Sequence, residues 1–242
     1  MGFDELWPGG PGFFRREGVF ALGTDAVLLA HFAGAIREKK LLDLGSGSGV
    51  LAILLAARCP RLTADGLELR KAAVEAAREN AAANGLLDRV RFMQEDLRKY
   101  RPGELAGAYG AVIANPPYFP LGNGKSAPEE AAASAREERN CTLADVCGAA
   151  AFFAKWGGKF LLIHRPERLA DVFGCLRESG FEPKRLRLVQ NSARTAPSLA
   201  LVESRRGGKP GLAVEPPLLL TEESGGESEE IKAVYHRRPS GE

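Results

Sequence analysis

Apolar positions along this chain fall into two alternating forms. Short runs rich in leucine and β-branched residues read as strands at Leu41–Leu44, Leu62–Glu68, Val90–Gln94, Tyr109–Ala114, Lys159–Ile163, Lys184–Val189 and Ser198–Glu203. Between most of them lie alanine-rich stretches whose apolar residues recur every three or four positions. Glu68–Asn84 carries Leu69, Ala73, Ala76, Ala77 and Ala81 at that spacing and stops at Asn84-Gly85, while Leu143–Trp156 stops at Gly157-Gly158. Strands alternating with helices imply parallel crossovers, because a parallel pair needs a long return path that a helix supplies. The last two strands are separated only by the polar "NSARTAP", so they pair as an antiparallel hairpin at one end of the sheet. The expectation is an α/β fold: a mostly parallel seven-stranded sheet with an antiparallel terminal strand and helices on both faces.

Three regions lie outside that alternation. Residues 1–39 form an aromatic, glycine-rich extension ending in "TDAVLLAHFAGA", a helix that Thr24 or Asp25 would cap, and the main domain is expected over 40–204. Residues 122–140 are polar and charged, and read equally as a solvated connection or as a loop or exposed helix beside a site. From 205 to 242 the chain is rich in Gly, Pro and Glu, with "EESGGESEE" reading as a flexible surface stretch.

Composition narrows the setting. A chain of 242 residues with 45% apolar content buries roughly 70 to 75% of its unfolded surface, enough for one large core. The apolar runs are short and broken by charges, and the acidic "MGFDELWPGG" is unlike a signal peptide, so the expectation is a cytoplasmic protein with no membrane span. Cys59, Cys141, Cys147 and Cys175 and the three histidines are scattered, which points to free thiols and no metal site. A net charge of +2 does not by itself imply a polyanionic partner.

Two segments carry candidate chemistry. In "LLDLGSGSGVLAILLAA" Gly45, Gly47 and Gly49 leave the first strand and open a helix. Glycines there let a ligand approach the backbone at a helix terminus with unpaired N–H groups, although a tight strand-to-helix turn also uses glycine. The dinucleotide fingerprint wants a third glycine where Val50 or Ala52 stands. Asp43 would repel a pyrophosphate but suits an ammonium group, and the loop resembles that of S-adenosylmethionine-dependent methyltransferases. Glu68, 19 residues past Gly49, ends the second strand where a carboxylate can accept from both ribose hydroxyls, or simply starts a helix. Asp96 sits after the third strand where that family places an adenine contact, or caps a helix.

The second segment, "IANPPYF", follows the fourth strand. Two adjacent prolines fix the backbone and remove two N–H donors, leaving rigid carbonyl acceptors, unless the segment is only a kinked strand end. An amide or exocyclic nitrogen is a poor nucleophile because its lone pair is delocalised. Acceptors at the Asn115 side chain and the Pro116 carbonyl would favour a tetrahedral nitrogen, with Pro117 holding them still. Tyr118 would stack on a planar substrate, and Phe119 would support that wall or fill core.

The combination of "TDAVLLAHFA", "LLDLGSGSGV", "ANPPYF", "AREERNCTLADV", "GGKFLLIHRPERL", "EPKRLRLV" and "EPPLLL" resembles the bacterial valine tRNA (adenine-N6) methyltransferases, over roughly Gly23 to Leu220. Glu137 departs from the histidine which that family carries after the arginine at 136. The resemblance implies a Rossmann-like class I methyltransferase that acts on adenine N6 in a tRNA anticodon loop. It implies S-adenosyl-L-methionine held by Asp43, Gly45, Ser46, Gly47, Gly49, Glu68, Leu69, Asp96, Leu97 and Asn115. Catalysis then falls to Asn115, Pro116, Pro117 and Tyr118, and substrate contact to Tyr118, Phe119, His164 and Arg165, the last two alternatively structural. Phosphate contacts would come from Lys184, Arg185, Arg187, Arg194, Arg205, Arg206 and Lys209, or these form an ordinary solvated face. The same "NPPY" would also serve a protein-glutamine amide methyltransferase or an rRNA base methyltransferase. The glutamine enzymes usually carry a separate amino-terminal helical domain, and only about 40 residues precede the first strand here. A non-catalytic RNA-binding module is the alternative outside enzymes; an NAD enzyme is disfavoured by Asp43.

Overall fold

The computed structural model describes residues 2–14, 23–116 and 141–236. Pro117, Tyr118, Phe119, Glu137 and the stretch 122–140 singled out above lie outside the described residues.

Seven long strands form the body of one sheet: β3 (Lys40–Leu44), β4 (Thr63–Glu68), β5 (Val90–Gln94), β6 (Tyr109–Ala114), β7 (Ala154–His164), β8 (Phe181–Gln190) and β9 (Pro197–Arg206). Their spatial order is β8-β9-β7-β6-β3-β4-β5, parallel except for β9, which runs antiparallel to both neighbours. The hairpin expected from "NSARTAP" is there. Its second strand turns back inside the first, so β9 is the antiparallel member without being the outermost. Side chains alternate across the sheet, as a two-residue period requires: Leu41, Ile113, Leu161 and Ile163 face one core, and Leu42, Leu44, Val112, Phe160 and Leu162 face the other. Helices α1 (Thr24–Ala33), α2 (Val50–Arg58) and α3 (Lys71–Ala83) cover the first face, while α4 (Leu143–Phe153) and α5 (Leu169–Glu178) cover the second. The architecture is a Rossmann-like α/β fold with helices on both faces of a mostly parallel sheet.

Several boundaries differ from the sequence expectation for identifiable reasons. α3 starts at Lys71 because Glu68 stays in β4, opposite Gln94, and its Oε1 accepts the Arg70 N–H at 2.9 Å. α4 ends at Phe153 because Ala154 already pairs with Tyr109 in β7, so Trp156 is a strand residue. Gly23, rather than Thr24 or Asp25, occupies the N-cap of α1, with no side-chain cap.

Both ends of the described chain fold back on this body. β1 (Phe3–Glu5) and β2 (Gly12–Phe14) form a hairpin that two asparagines of the α3 segment hold. Asn84 Oδ1 accepts from Gly12 N–H at 3.0 Å, and Asn80 Oδ1 accepts from Phe14 N–H at 2.9 Å. Beyond Arg206, where the composition suggested a flexible stretch, β10 (Ala213–Val214) and β11 (Leu218–Leu219) pair in parallel with β8. Ser228 then caps α6 (Glu229–Val234), which buries Ile231 and Val234 against the first core. No helix of the described residues is long and apolar enough to cross a membrane.

Candidate active site

β3 and β6 are adjacent, and the chain leaves them toward opposite flanks of the sheet. Open α/β sheets bind ligands at such a reversal. Asp43 sits on β3 between Gly66 of β4 and Ile113 of β6. It is 1% exposed, and neither carboxylate oxygen has a hydrogen-bond partner. Burial pushes its pKa up to about 7, and the nearby Glu68 charge adds to this. The Ala52 N–H works the other way without reaching hydrogen-bond geometry. A buried, unpaired carboxylate is costly unless a cation meets it.

The loop after β3 is built by glycine conformations. Gly45, Gly47 and Gly49 have φ of 71°, 54° and 84°, a region that side chains resist. A Cβ on Gly45 or Gly47 would enter open space, so that side of the loop is bare backbone. Gly49 is different: a Cβ there would fall 2.5 Å from Phe92 Cζ. The same ring excludes a side chain at Gly66, whose Cβ would lie 2.4 Å from Phe92 Cδ1 and 2.8 Å from Ser46 Oγ. Phe92, on β5, thus fills the volume beneath the loop. Ser46 Oγ is buried and unpartnered, like the Asp43 oxygens.

Glu68 closes the other wall. Its Oε2 accepts the Gly47 N–H at 2.9 Å, and its Oε1 accepts the Arg70 N–H at 2.9 Å and Arg70 Nε at 3.3 Å. Oε1 thus has both lone pairs engaged, while Oε2 keeps a second one for a hydroxyl donor. Asn80 ties the loop to the amino-terminal hairpin: it is fully buried and donates through Nδ2 to the Ser48 carbonyl at 3.0 Å.

Glu68 and Asp43 thus lie at the carboxyl ends of neighbouring strands, beside Ser46 and the three glycines. Asn115 and Pro116 leave β6 directly after Ala114, which pairs with Leu44 of β3, and Pro116 is buried. Leu69 is 54% exposed at the end of β4. Leu97 is half-buried against the second core. Asp96 is held differently. The Arg98 guanidinium grips it at 2.6 and 2.8 Å and holds its pKa down at about 2, so it is an anion already occupied by a neighbour. His164 ends β7, is 2% exposed, and accepts the Arg165 N–H on Nδ1 at 2.9 Å. Burial lowers its pKa to about 4, so it is neutral at physiological pH. Arg165 reaches the Ser198 carbonyl at 3.3 Å.

The basic residues assigned to phosphate separate into two groups. Arg187 makes a two-pronged pair with Glu230 (Nη2–Oε2 2.7 Å), Arg185 lies between Glu203 and Glu215 with its guanidinium 4.0 Å over the Phe32 ring, and Arg194 faces Glu223 at 3.5 Å. Those three belong to the fold and its tail. Lys184, Arg205, Arg206 and Lys209 contact carbonyl oxygens or solvent instead.

Sequence reasoning missed Arg70, Asn80, Gly66 and Phe92. Asn80 had a readable signal: it is a polar residue inside the alanine stripe of α3, and a buried amide needs partners. Phe92 had none, because its role depends on which glycines it faces across the sheet.

A model of the methyltransferase small domain family matches residues 11–137. The tRNA1(Val) (adenine(37)-N6)-methyltransferase of Tolumonas auensis is 30% identical over 214 residues, covering 88% of this chain and 87% of that protein. The protein of that name from Aeromonas hydrophila is 34% identical over 156 residues, 64% of this chain and 63% of that one. Among solved structures, a predicted O-methyltransferase from Agrobacterium tumefaciens matches with a TM-score of 0.69 over 90% of this chain and 98% of that chain, at 21% identity, a likeness of fold.

Proposed function

The chain belongs to the methyltransferase small domain family and, within it, to the relatives named tRNA1(Val) (adenine(37)-N6)-methyltransferases, and from that premise we propose that it methylates the exocyclic N6 of an adenine in a tRNA anticodon loop, in the cytoplasm. The observation that carries the reading is the buried Asp43 carboxylate with both oxygens unpartnered, facing a glycine loop and Glu68. This donor set fits S-adenosylmethionine: Asp43 suits its ammonium group, Glu68 Oε2 retains a lone pair for a ribose hydroxyl, and Gly45 and Gly47 leave room against the backbone. When bound, that cofactor supplies an electrophilic methyl group on a sulfonium.

The rest of the chemistry falls to Asn115 and Pro116. The Asn115 side-chain oxygen and the Pro116 carbonyl accept the two N–H protons of the target amine, which withdraws its lone pair from conjugation with the ring. Nitrogen becomes positive as the methyl arrives, and two fixed dipoles stabilise that charge without reorganising. The surplus proton then leaves through either acceptor to water. No strong base is needed, and His164 agrees with this: it is neutral and its Nδ1 is already engaged. Tyr118 would form the stacking wall for the base.

The deciding experiment incubates the protein with tRNA and isotopically labelled S-adenosylmethionine and analyses the nucleosides by mass spectrometry. Labelled N6-methyladenosine is expected. Label in rRNA alone, or on a glutamine of a protein, would replace this reading with one of its alternatives.

A further inference from the structure

Trp156 is 78% exposed, more than any other large apolar residue among those described. It stands near the start of β7, at the edge of the sheet opposite Asp43 and Asn115. One face of the indole rests on backbone. A Cβ on Gly207 would lie 2.2 Å from Trp156 Cζ2, and Gly207 has φ of 63°, so glycine there is what lets the ring lie against the turn. The rest of the ring is open to solvent.

Four cations lie on the strand ends and the turn beside this residue. Arg205 donates to the Gly157 carbonyl at 3.0 Å and Arg206 to the Ala154 carbonyl, which fixes both guanidinium groups within two residues of Trp156 along β7. Lys184 Nζ donates to the Lys209 carbonyl at 3.0 Å, one turn further along the same segment. Among the described residues none of the four forms an ion pair; the nearest carboxylate, Glu182, lies opposite Arg205 and feels the Lys184 charge but is held by Arg177 at 2.8 Å, and Glu203 is met by Lys159 at 3.3 Å. Each arginine uses one donor on a carbonyl and keeps the others.

We propose that Trp156 with Arg205, Arg206, Lys184 and Lys209 is a second RNA-binding surface, on which an unpaired base of the tRNA outside the anticodon loop stacks while the cations take the flanking phosphates. The inference rests on the tRNA reading above. An exposed planar ring seated on one side, with cations outside ion pairs on the adjoining turn and strand ends, is the arrangement that binds unpaired bases without sequence preference. β7 rises about 3.3 Å per residue, so eight residues separate Trp156 from His164 by about 26 Å. The contact therefore falls on a different part of the RNA from the methylated base.

The test uses the full chain with Trp7→Phe, so that Trp156 is the remaining tryptophan. Its fluorescence should be quenched by intact tRNA and unaffected by a short anticodon stem-loop. Trp156→Ala should raise KM for intact tRNA roughly 5- to 100-fold, leave kcat and the melting temperature unchanged, and leave KM for the stem-loop unchanged. Trp156→Phe should recover much of the loss. Arg205→Gln and Lys209→Gln should each lower the slope of log affinity against log salt by about 1. Wild-type methylation of tRNA with no quenching and an unchanged KM in Trp156→Ala would overturn the surface. Quenching without methylation would refute the proposed activity and leave the surface standing. Self-association abolished by Trp156→Ala, with RNA binding unaltered, would give the patch to a second copy of the chain and also overturn the proposal.

Discussion

Replacing Asp43 with asparagine tests the orphaned carboxylate on which the cofactor site depends. The Asp43 pKa is about 7 in the folded protein, against an ordinary value of 3.8. The raised value means that the folded state holds this proton where the unfolded chain has released it. Stability therefore falls as pH rises through that window, by about 1.4 kcal/mol per pH unit, and levels off above pH 7. Between pH 5 and pH 8 the wild type loses roughly 3 kcal/mol through this one group. Asparagine does not titrate. Its own unpaired donors cost ~1–3 kcal/mol, but equally at each pH. The difference in melting temperature between Asp43→Asn and wild type should therefore shift toward the variant by about 5–11 °C from pH 5 to pH 8 for a chain of this size.

The assay is a pair of thermal melts without cofactor at pH 5, 6, 7 and 8, so that titrations common to both proteins cancel. A second readout follows from the same linkage. A cationic ligand beside Asp43 favours the ionised form, so wild-type affinity for S-adenosylmethionine should rise up to about tenfold per unit below pH 7, a dependence that the variant lacks. Melting curves that stay parallel within about 2 °C would show that the carboxylate is solvated or paired, and the argument for an ammonium partner would fail with it.

Three further substitutions separate the parts of the site. Asn115→Ala should lower kcat by ~100-fold or more while leaving cofactor affinity nearly intact in calorimetry, since the other cofactor contacts remain; unchanged turnover would remove Asn115 from the mechanism. Glu68→Ala strips an acceptor from the Gly47 and Arg70 N–H groups, and should weaken S-adenosylmethionine binding by roughly tenfold or more; wild-type affinity would contradict the pocket. Gly66→Ala places a methyl 2.4 Å from the Phe92 ring, and should cost ~1–3 kcal/mol in denaturant unfolding; a neutral result would show that the ring is free to move.

The glycine loop was legible in the sequence because residue type alone signals a backbone that turns through positive φ, and all three glycines do so. Glu68 was legible because its distance from the loop fixes it at the end of the next strand. The role of Phe92 was not, because a steric requirement between β5 and two glycines arises only once β5 lies beside β4. The carboxyl-terminal tail failed for a related reason. β10 and β11 have two residues each, too few to show alternation, and what holds them is long-range: Arg185 meets Glu215 at 3.1 Å and Arg187 meets Glu230 across 43 residues of chain. Glu230 also lies 3.4 Å from His31 of α1, so the same carboxylate fastens the tail to the first helix.

This changes what a run of basic residues means in such a chain. "EPKRLRLV" reads as a nucleic-acid face because the sequence shows the sign of each charge and not its partner. On a strand the side chains alternate. Arg185 and Arg187 fall to the returning acids, while Lys184 turns toward the turn that carries Lys209 and Trp156 shares with Gly207. The tail therefore neutralises the centre of the basic run and leaves its positive charge concentrated at the far edge of the sheet, beside the most exposed aromatic ring among the described residues. A phosphate chain approaching this flank meets Lys184 at the start of β8 and the cations of the turn, rather than the acid-paired Arg185 and Arg187 further along the strand.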